Sequence, residues 1–402
     1  MRAEEEFDCV VIGAGVQGSF TAYQLAKHNR KTLLLEQFLL PHSRGSSHGQ
    51  TRIIRKAYQQ EFYVQMMEEC FKMWTQLEKE AGVKLYRQTG LLVMGPEKSE
   101  PYQLIKNTLQ KHKVPTVVLT QDNFNQHIPN VRLAEGDGAL VEIPAGVLYA
   151  DRVLRTVQEQ FQKQGGVIRD NEKVTDIKPG PLVTVSTSAG VYRAKSVVIT
   201  AGPWTNTLLA HTALQLPLEV VKINVCYWKE KVPGTYHVKQ HFPCFIQTEC
   251  EETKEHIYGL PANEYPGMVK ICYHTGGKTD PDQRDQQRDR SDIDILQRYI
   301  ARSIPGLIPE PAVVESCMYT LTPDHDFVLD CHPTYNNIII GAGFSDSLPR
   351  HEATDTYLGH LDTHLDRITG LSTPGSPEHL LHLLLAAGHL LDLPSPRRTH
   401  YR

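Results

Sequence analysis

The chain opens with apolar and polar positions arranged in two alternating periods. Val10, Val11 and Ile12 form an unbroken apolar run, as in a strand covered on both faces. It leads straight into Gly13-Ala14-Gly15-Val16-Gln17-Gly18, after which Ala22, Tyr23, Leu25 and Ala26 recur at helical spacing. A second apolar run, Thr32 to Leu35, ends on Glu36. Farther along, the pattern predicts a helix from Phe62 to Ala81 and a short strand from Leu91 to Met94. Asp151 reads as the N-cap of a helix with Val153, Leu154, Val157 and Phe161 on one face, stopping at Gly165 and Gly166. Short β segments follow at Val167, Val174 to Ile177 and Leu182 to Val185. The apolar strand Val197 to Thr200 then meets Ala201-Gly202-Pro203-Trp204. From Leu218 to Tyr273 the pattern is strand-rich with Pro and Gly turns, which suits an antiparallel sheet. The charged stretch Lys278 to Asp294 reads as a solvated loop leading into a helix. A last apolar strand, Asn337 to Ile340, runs into Gly341-Ala342-Gly343-Phe344-Ser345.

The opening order of strand, G-x-G-x-x-G, helix, strand and acid is the dinucleotide fingerprint in its full context. Gly13 serves the tight turn, Gly15 the backbone's approach to a pyrophosphate, and Gly18 close helix–strand packing. The helix N-terminus faces the anion. Glu36 stands about 20 residues on, where a carboxylate accepts hydrogen bonds from a ribose. The competing reading is a glycine turn in an ordinary α/β unit.

A chain of 402 residues is too long for one small core. A net charge of −4 points to neither nucleic acid nor an acidic membrane surface. No run reaches the roughly 18–20 apolar residues of a membrane span. The N-terminal residues, with Arg2 followed by Glu4, Glu5 and Glu6, do not read as a signal peptide. Cys9, Cys70, Cys226, Cys244, Cys250, Cys272, Cys317 and Cys331 are scattered with no C-x-x-C pair, which argues against a zinc site or a disulfide framework and for a reducing compartment.

Three places carry candidate chemistry. Met268 to His274 reads as a strand, so Lys270, Cys272 and His274 share one face. A lysine and a histidine on an inner face are costly unless used or paired; an edge strand with a solvated face is the alternative. His48, Thr51, Arg52 and Arg55 form a second group, and guanidinium forks suit a carboxylate or phosphate. A helix puts all four on one side. Ile53 and Ile54 are β-branched, so an extended form is equally open, as are plain surface arginines. Cys317, in Glu315-Ser316-Cys317-Met318-Tyr319-Thr320, reads by itself as a buried small residue. The strand before Gly341-Ala342-Gly343 resembles another backbone approach to a cofactor.

Together, the segments V-I-G-A-G-V-Q-G, P-H-S-R-G-S-S-H-G-Q-T-R-I-I-R-K-A-Y, I-T-A-G-P-W-T-N, Y-G-L-P, K-I-C-Y-H-T, E-S-C-M-Y-T-L-T-P-D and I-I-I-G-A-G-F-S resemble the monomeric sarcosine oxidase family of flavoproteins. The resemblance implies an α/β, two-domain chain with a Rossmann-like FAD-binding domain and an interleaved antiparallel-sheet substrate domain. The expected division is 1–85, 148–212 and 318–345 for FAD, and 86–147 and 213–317 for substrate. Residues 346–402 form an atypical tail. The resemblance also implies FAD attached covalently through Cys317 and hydride transfer from the C–N bond of a secondary amino acid, sarcosine or L-pipecolate. O2 reoxidises the flavin and hydrogen peroxide leaves. Lys270 matches the oxygen-activating lysine, and His48 and Arg52 match residues near the flavin ring. Arg55 matches a cation that holds the substrate carboxylate. Tyr258 and His274 match residues lining the substrate cavity. The implied cofactor-binding set is Gly13, Gly15, Gly18, Glu36, Arg44, Ser47, Val174, Cys317 and Gly343. No metal, nucleic acid or membrane is implied, and the chain is expected to be a monomer.

After Ser345 the family's G-H-G-F-K pattern gives way to Asp346-Ser347-Leu348-Pro349-Arg350. The second carboxylate cation and several amide donors are thereby replaced, which implies weaker substrate and FAD binding; Arg350 is a weak substitute. The tail holds seven of the nineteen histidines and no lysine or cysteine. Family resemblance implies a peroxisomal location. The ending Thr399-His400-Tyr401-Arg402 does not read as a peroxisomal address, which leaves cytosolic residence open.

Overall fold

The structure, a computed structural model, describes residues 5–286 and 289–345. They form two compact units, each assembled from separate stretches. The first unit holds 5–48, 153–219 and 319–345; the second holds 49–152 and 220–318. The readings of the altered tail, including Asp346, Pro349 and Arg350, lie outside the described residues.

In the first unit, strand Glu5–Ile12 lies parallel between Thr32–Leu35 and Val191–Ile199. Thr32–Leu35 pairs outward with Val167–Arg169. Val191–Ile199 pairs first with antiparallel Val183–Thr187, then with parallel Ile338–Ala342. One register row, Leu33–Val10–Val197–Ile338, is fully buried across four strands. Both faces of the sheet are covered, which is why these strands read as continuous apolar runs. Val174 starts strand Val174–Lys178 and its side chain belongs to this apolar core.

The second unit is built on an eight-stranded sheet. Its order is Leu307–Leu321, Glu219–Glu230, Met268–Tyr273, Ile257–Leu260, Cys244–Gln247, Leu91–Pro96, Asp137–Glu142 and Thr116–Leu119. Val269, Ile271 and Tyr273 pack into a core with Trp228, Phe245 and Tyr299, so strand alternation turns Lys270 and Cys272 to the other face. That face is buried too.

The expected division differs at its boundaries: residues 213–219 fall in the first unit and 318 in the second. Residues 49–85 and 148–152 also fall in the second unit. The cause is a small sheet in which Arg52–Ile54 and Tyr86–Gln88 both pair with Gly146–Leu148. Those hydrogen bonds tie the stretch after the 41–49 loop to the second unit. Helix Ala150–Lys163 begins one residue before Asp151, which therefore sits in the first turn and not at the cap. There its charge still complements the helix dipole.

Candidate active site

In the first unit a corner is made mainly of backbone. Gly13 has φ +103°, and a Cβ there would run into the carbonyl of Thr200. A Cβ on Gly18 would run into the Gly13 carbonyl, so helix and strand meet with no room for a side chain. The Val16 amide donates to Ser47 Oγ at 3.1 Å, and Gly15 faces the same hydroxyl. Glu36, 7% exposed, folds over the turn: Oε2 accepts from the Ala14 amide at 2.9 Å and Oε1 from the Phe38 amide at 3.0 Å. His42 Nε2 lies 3.5 Å from Oε1. Beside them, Arg44 sits over the Phe38 ring at 6.0 Å. His48 Nδ1 bonds the Gly45 carbonyl at 2.5 Å.

One feature of this corner points to a ligand. Gln17, in the first turn of helix Val16–Lys27, is 5% exposed, and neither its Nε2 nor its Oε1 has a hydrogen-bond partner. Buried amides are normally paired. The helix's first turn carries no acidic residue. An unpaired amide at a helix N-terminus, beside a glycine cradle and a carboxylate, fits the pyrophosphate and ribose of a dinucleotide such as FAD. Gly343, at φ +74°, closes another turn where a Cβ would meet Thr322 Cγ2 at 2.7 Å.

In the second unit a separate cluster is made of side chains. The group after His48 is extended, the strand form favoured by Ile53 and Ile54, so Arg52 and Arg55 do not share a helix face. Arg52 Nη1 donates to the Thr51 carbonyl at 2.8 Å. Lys270 Nζ, 5% exposed, donates to the same carbonyl at 3.3 Å and pairs with Glu264 Oε1 at 3.3 Å. Glu264 also accepts from Thr51 Oγ1, and its Oε2 accepts from the Tyr227 hydroxyl at 2.5 Å. Burial alone would raise the Glu264 carboxyl. The Lys270 charge and the two hydroxyl donors outweigh that and hold it below the usual carboxylate range. Burial, then the Glu264 charge, pushes the Tyr227 phenol far up.

Arg55 is 2% exposed, stacks over Tyr58 at 4.4 Å and donates to the Ala57 carbonyl at 3.1 Å. The fully buried Glu142 fixes the turn behind it by accepting from the Lys56 and Ala57 amides at 2.8 and 2.9 Å. Burial raises Glu142 to about 7, although those amides and Arg55 act in the opposite direction.

Strand pairing sets Tyr258 opposite Cys272 and Leu260 opposite Lys270. The His274 ring lies 6.0 Å from Tyr258 and 6.4 Å from His256. His256 is buried, its Nδ1 has no hydrogen-bond partner, and burial, with His274 and Arg55 adding, lowers it to about 3. It is a neutral imidazole at neutral pH. Cys317, 6% exposed, lies on Leu307–Leu321 in no disulfide, its Sγ 3.8 Å from the Met318 carbonyl. Two residues earlier, Glu315 accepts from Tyr265 at 2.5 Å and faces the Tyr227 hydroxyl at 3.3 Å.

The FAD dependent oxidoreductase family matches residues 8–347. Human peroxisomal sarcosine oxidase is 52% identical over 349 residues, 86% of this chain and 89% of that protein. A monomeric sarcosine oxidase from Bacillus sp. is 33% identical over 84% of this chain and 87% of its own. The chain belongs to the sarcosine oxidase family of FAD dependent oxidoreductases. Among solved structures, NikD, an unusual amino acid oxidase, superposes with a TM-score of 0.75 at 21% identity, covering 99% of this chain and all of that one. At that identity the likeness speaks for the fold alone, and it agrees with the expected two-domain α/β architecture.

Of the candidates named from the sequence, Gly13, Gly15, Gly18 and Glu36 lie in the first unit's corner, and Arg52, Arg55, Lys270 and His274 lie in the second unit. Glu264, Tyr227, Glu142, His256 and Gln17 were not among them. His256 had a legible signal, since it stands two residues before Tyr258, immediately ahead of strand Ile257–Leu260. Glu264 had none, because it lies in a loop. Among the described residues no group of three or more His, Cys, Asp or Glu is placed to hold a metal, and no helix is long and apolar enough to cross a membrane.

Proposed function

We propose that this chain is an FAD-dependent oxidase of small secondary amino acids. Sarcosine, O2 and water would give glycine, formaldehyde and hydrogen peroxide; L-pipecolate would give its cyclic imine. Bound FAD supplies the hydride acceptor and passes the electrons on to O2. The observation that carries the reading is Lys270: a lysine 5% exposed, on the face of its strand turned away from the core, held beside Arg52 by one carbonyl. A buried cation of this kind favours electron transfer that places negative charge on O2.

In this reading Arg55 binds the substrate carboxylate with its guanidinium fork. Tyr258 and His274 line the substrate cavity. L-pipecolate presents the same N–H beside an α-carboxylate as sarcosine, so one recognition scheme serves both. His48 and Arg52 stabilise the negative charge of the reduced cofactor. Gly13, Gly15, Gly18, Glu36, Arg44, Ser47, Val174 and Gly343 hold FAD, and Cys317 carries it as a thioether. The name of the human relative supports a peroxisomal location, and a monomer is the expected state.

A second reading, an oxidase impaired in FAD or substrate binding, rests on the sequence from Asp346 onward, which departs from the family pattern. One experiment separates them. The visible spectrum of the purified chain is recorded before and after acid precipitation. A flavin band near about 450 nm that stays with the pellet, with peroxide formed from sarcosine, supports the active, covalently loaded oxidase. A colourless chain supports the impaired form.

A further inference from the structure

In the second unit, two cations converge on one neutral oxygen. Arg52 and Lys270 both donate to the Thr51 carbonyl, at 2.8 and 3.3 Å. Like charges so close repel. Arg52 cannot relieve this by losing its proton, because a guanidinium does not deprotonate in proteins. Lys270 is therefore the cation whose place an opposite charge must hold.

Tyr227 lies under the Lys270 ammonium, with Nζ 5.9 Å from the ring centre. Its phenol stays protonated and so donates to Glu264. Cys272, on the same strand face, is fully buried, and burial raises its thiol, so it adds no charge. Glu315 is turned to Tyr265 and reaches Tyr227 only at 3.3 Å. Glu264 is therefore the anion in direct contact with Lys270 among these groups, at 3.3 Å, with a side chain 5% exposed. Thr51 and Tyr227 each give it a hydroxyl, which fixes both of its oxygens. With Arg52 and Lys270 charged, Glu264 brings the local sum from +2 to +1.

We propose that Glu264 is a positioning residue that keeps Lys270 as an ammonium and pins it beside Thr51, with Tyr227 and the Thr51 hydroxyl fixing the carboxylate. No proton is transferred in this role; Glu264 sets which form of Lys270 persists. Its consequence for the reaction with O2 rests on the oxidase reading above.

The test reads Lys270 directly. The holoenzyme is trace-labelled with isotopic acetic anhydride, which attacks only neutral amine, and the Lys270 peptide is quantified by mass spectrometry. The rate at about pH 8 is expressed as a fraction of the same chain's rate at about pH 11, which removes differences in accessibility. In Glu264→Gln this fraction is expected to rise at least about tenfold over the native chain. Glu264→Asp, which retains the charge, is expected to stay within about twofold of native. Equal fractions in Glu264→Gln and native chain overturn the proposal. Should Glu264→Gln not fold, the native chain decides: a Lys270 fraction above that of exposed Lys98 means a neutral amine despite Glu264 and overturns it. A fraction at or below that of Lys98 supports it. In parallel, the rate of O2 consumption by substrate-reduced enzyme is expected to fall about tenfold in Glu264→Gln at about pH 8, while the preceding reduction by amine is unchanged. If labelling shifts as expected and the O2 rate does not, Glu264 has the assigned role and the role given to Lys270 is what fails.

Discussion

The glycine corner of the first unit and the charged cluster of the second reach specificity by opposite routes. The corner is made of amides and absent side chains: Gly13 and Gly18 leave room for backbone alone, and Glu36 is its one buried anion. The cluster is made of side chains that water would otherwise stabilise: Lys270, Arg55, Glu264 and Glu142 lie out of solvent and answer one another's charge. Backbone recognition fails by collision. Side-chain recognition fails by loss of a charge, and leaves the fold standing. The two regions should therefore break differently.

The largest effect is expected from Gly18→Val. Its Cβ would overlap the Gly13 carbonyl, so the unfolding free energy should fall by about 4 kcal/mol or more, with loss of bound flavin. Denaturant titration and the visible spectrum check both. If stability falls while flavin is retained, the corner is not where the cofactor sits. Next comes Lys270→Met, which should reduce the rate constant for O2 by about 10²–10³ in a chain that still folds, with a lowered melting temperature because Glu264 loses its buried cation. Stopped-flow reoxidation measures it; an equal loss in the amine half-reaction would break the contrast by making Lys270 a general structural element. Arg55→Lys keeps the charge and loses the fork. It should weaken binding of a carboxylate ligand by on the order of 1.5–3 kcal/mol, read as a raised KM for sarcosine.

The smallest effects are on pH dependence, which should come from the second unit. Burial raises Glu142 to about 7 against an ordinary value of 4.5. The folded chain holds that proton longer than the unfolded one. Its stabilisation is complete below pH 4.5 and is lost as pH rises through about 7. His256 has the opposite sign. It is lowered from 6.5 to about 3, so its contribution is present above pH 6.5 and is lost as pH falls toward 3. Denaturant midpoints from pH 4 to 8 should then show the alkaline loss vanish in Glu142→Gln and the acid loss vanish in His256→Gln, each on the order of 1 kcal/mol. Unchanged profiles in both variants would remove these two buried groups from the stability balance.

The same contrast explains how much was legible in the sequence. The fingerprint could be read because its parts are contiguous: the apolar strand, the three glycines, the helix and Glu36 follow within one short stretch. Lys270 and His274 could be placed on one face because strand alternation is local. Glu264 could not be joined to Lys270, nor Tyr227 to Glu264, because those contacts depend on which strands neighbour each other and on the path of a loop. Arg52 and Arg55 were visible as residues, but not their backbone form, since helix and strand patterns fit the same short segment. The boundary after residue 48 was missed because it depends on pairing between Arg52–Ile54 and Gly146–Leu148, more than ninety positions apart.

The central sheet of the first unit also sets a timetable for synthesis. Strand Glu5–Ile12 leaves the ribosome early, but its neighbour Val191–Ile199 comes much later, and that strand's own parallel partner, Ile338–Ala342, comes later still. At about 5–20 residues per second, the first strand waits on the order of tens of seconds for the last to emerge. Until Val191–Ile199 is made, one edge of the first strand is unpaired, and until Ile338–Ala342 is made the sheet still has an open edge, a state in which chains aggregate or recruit chaperones. The glycine corner is among the first segments made, and it stands on a sheet that is among the last features to be completed.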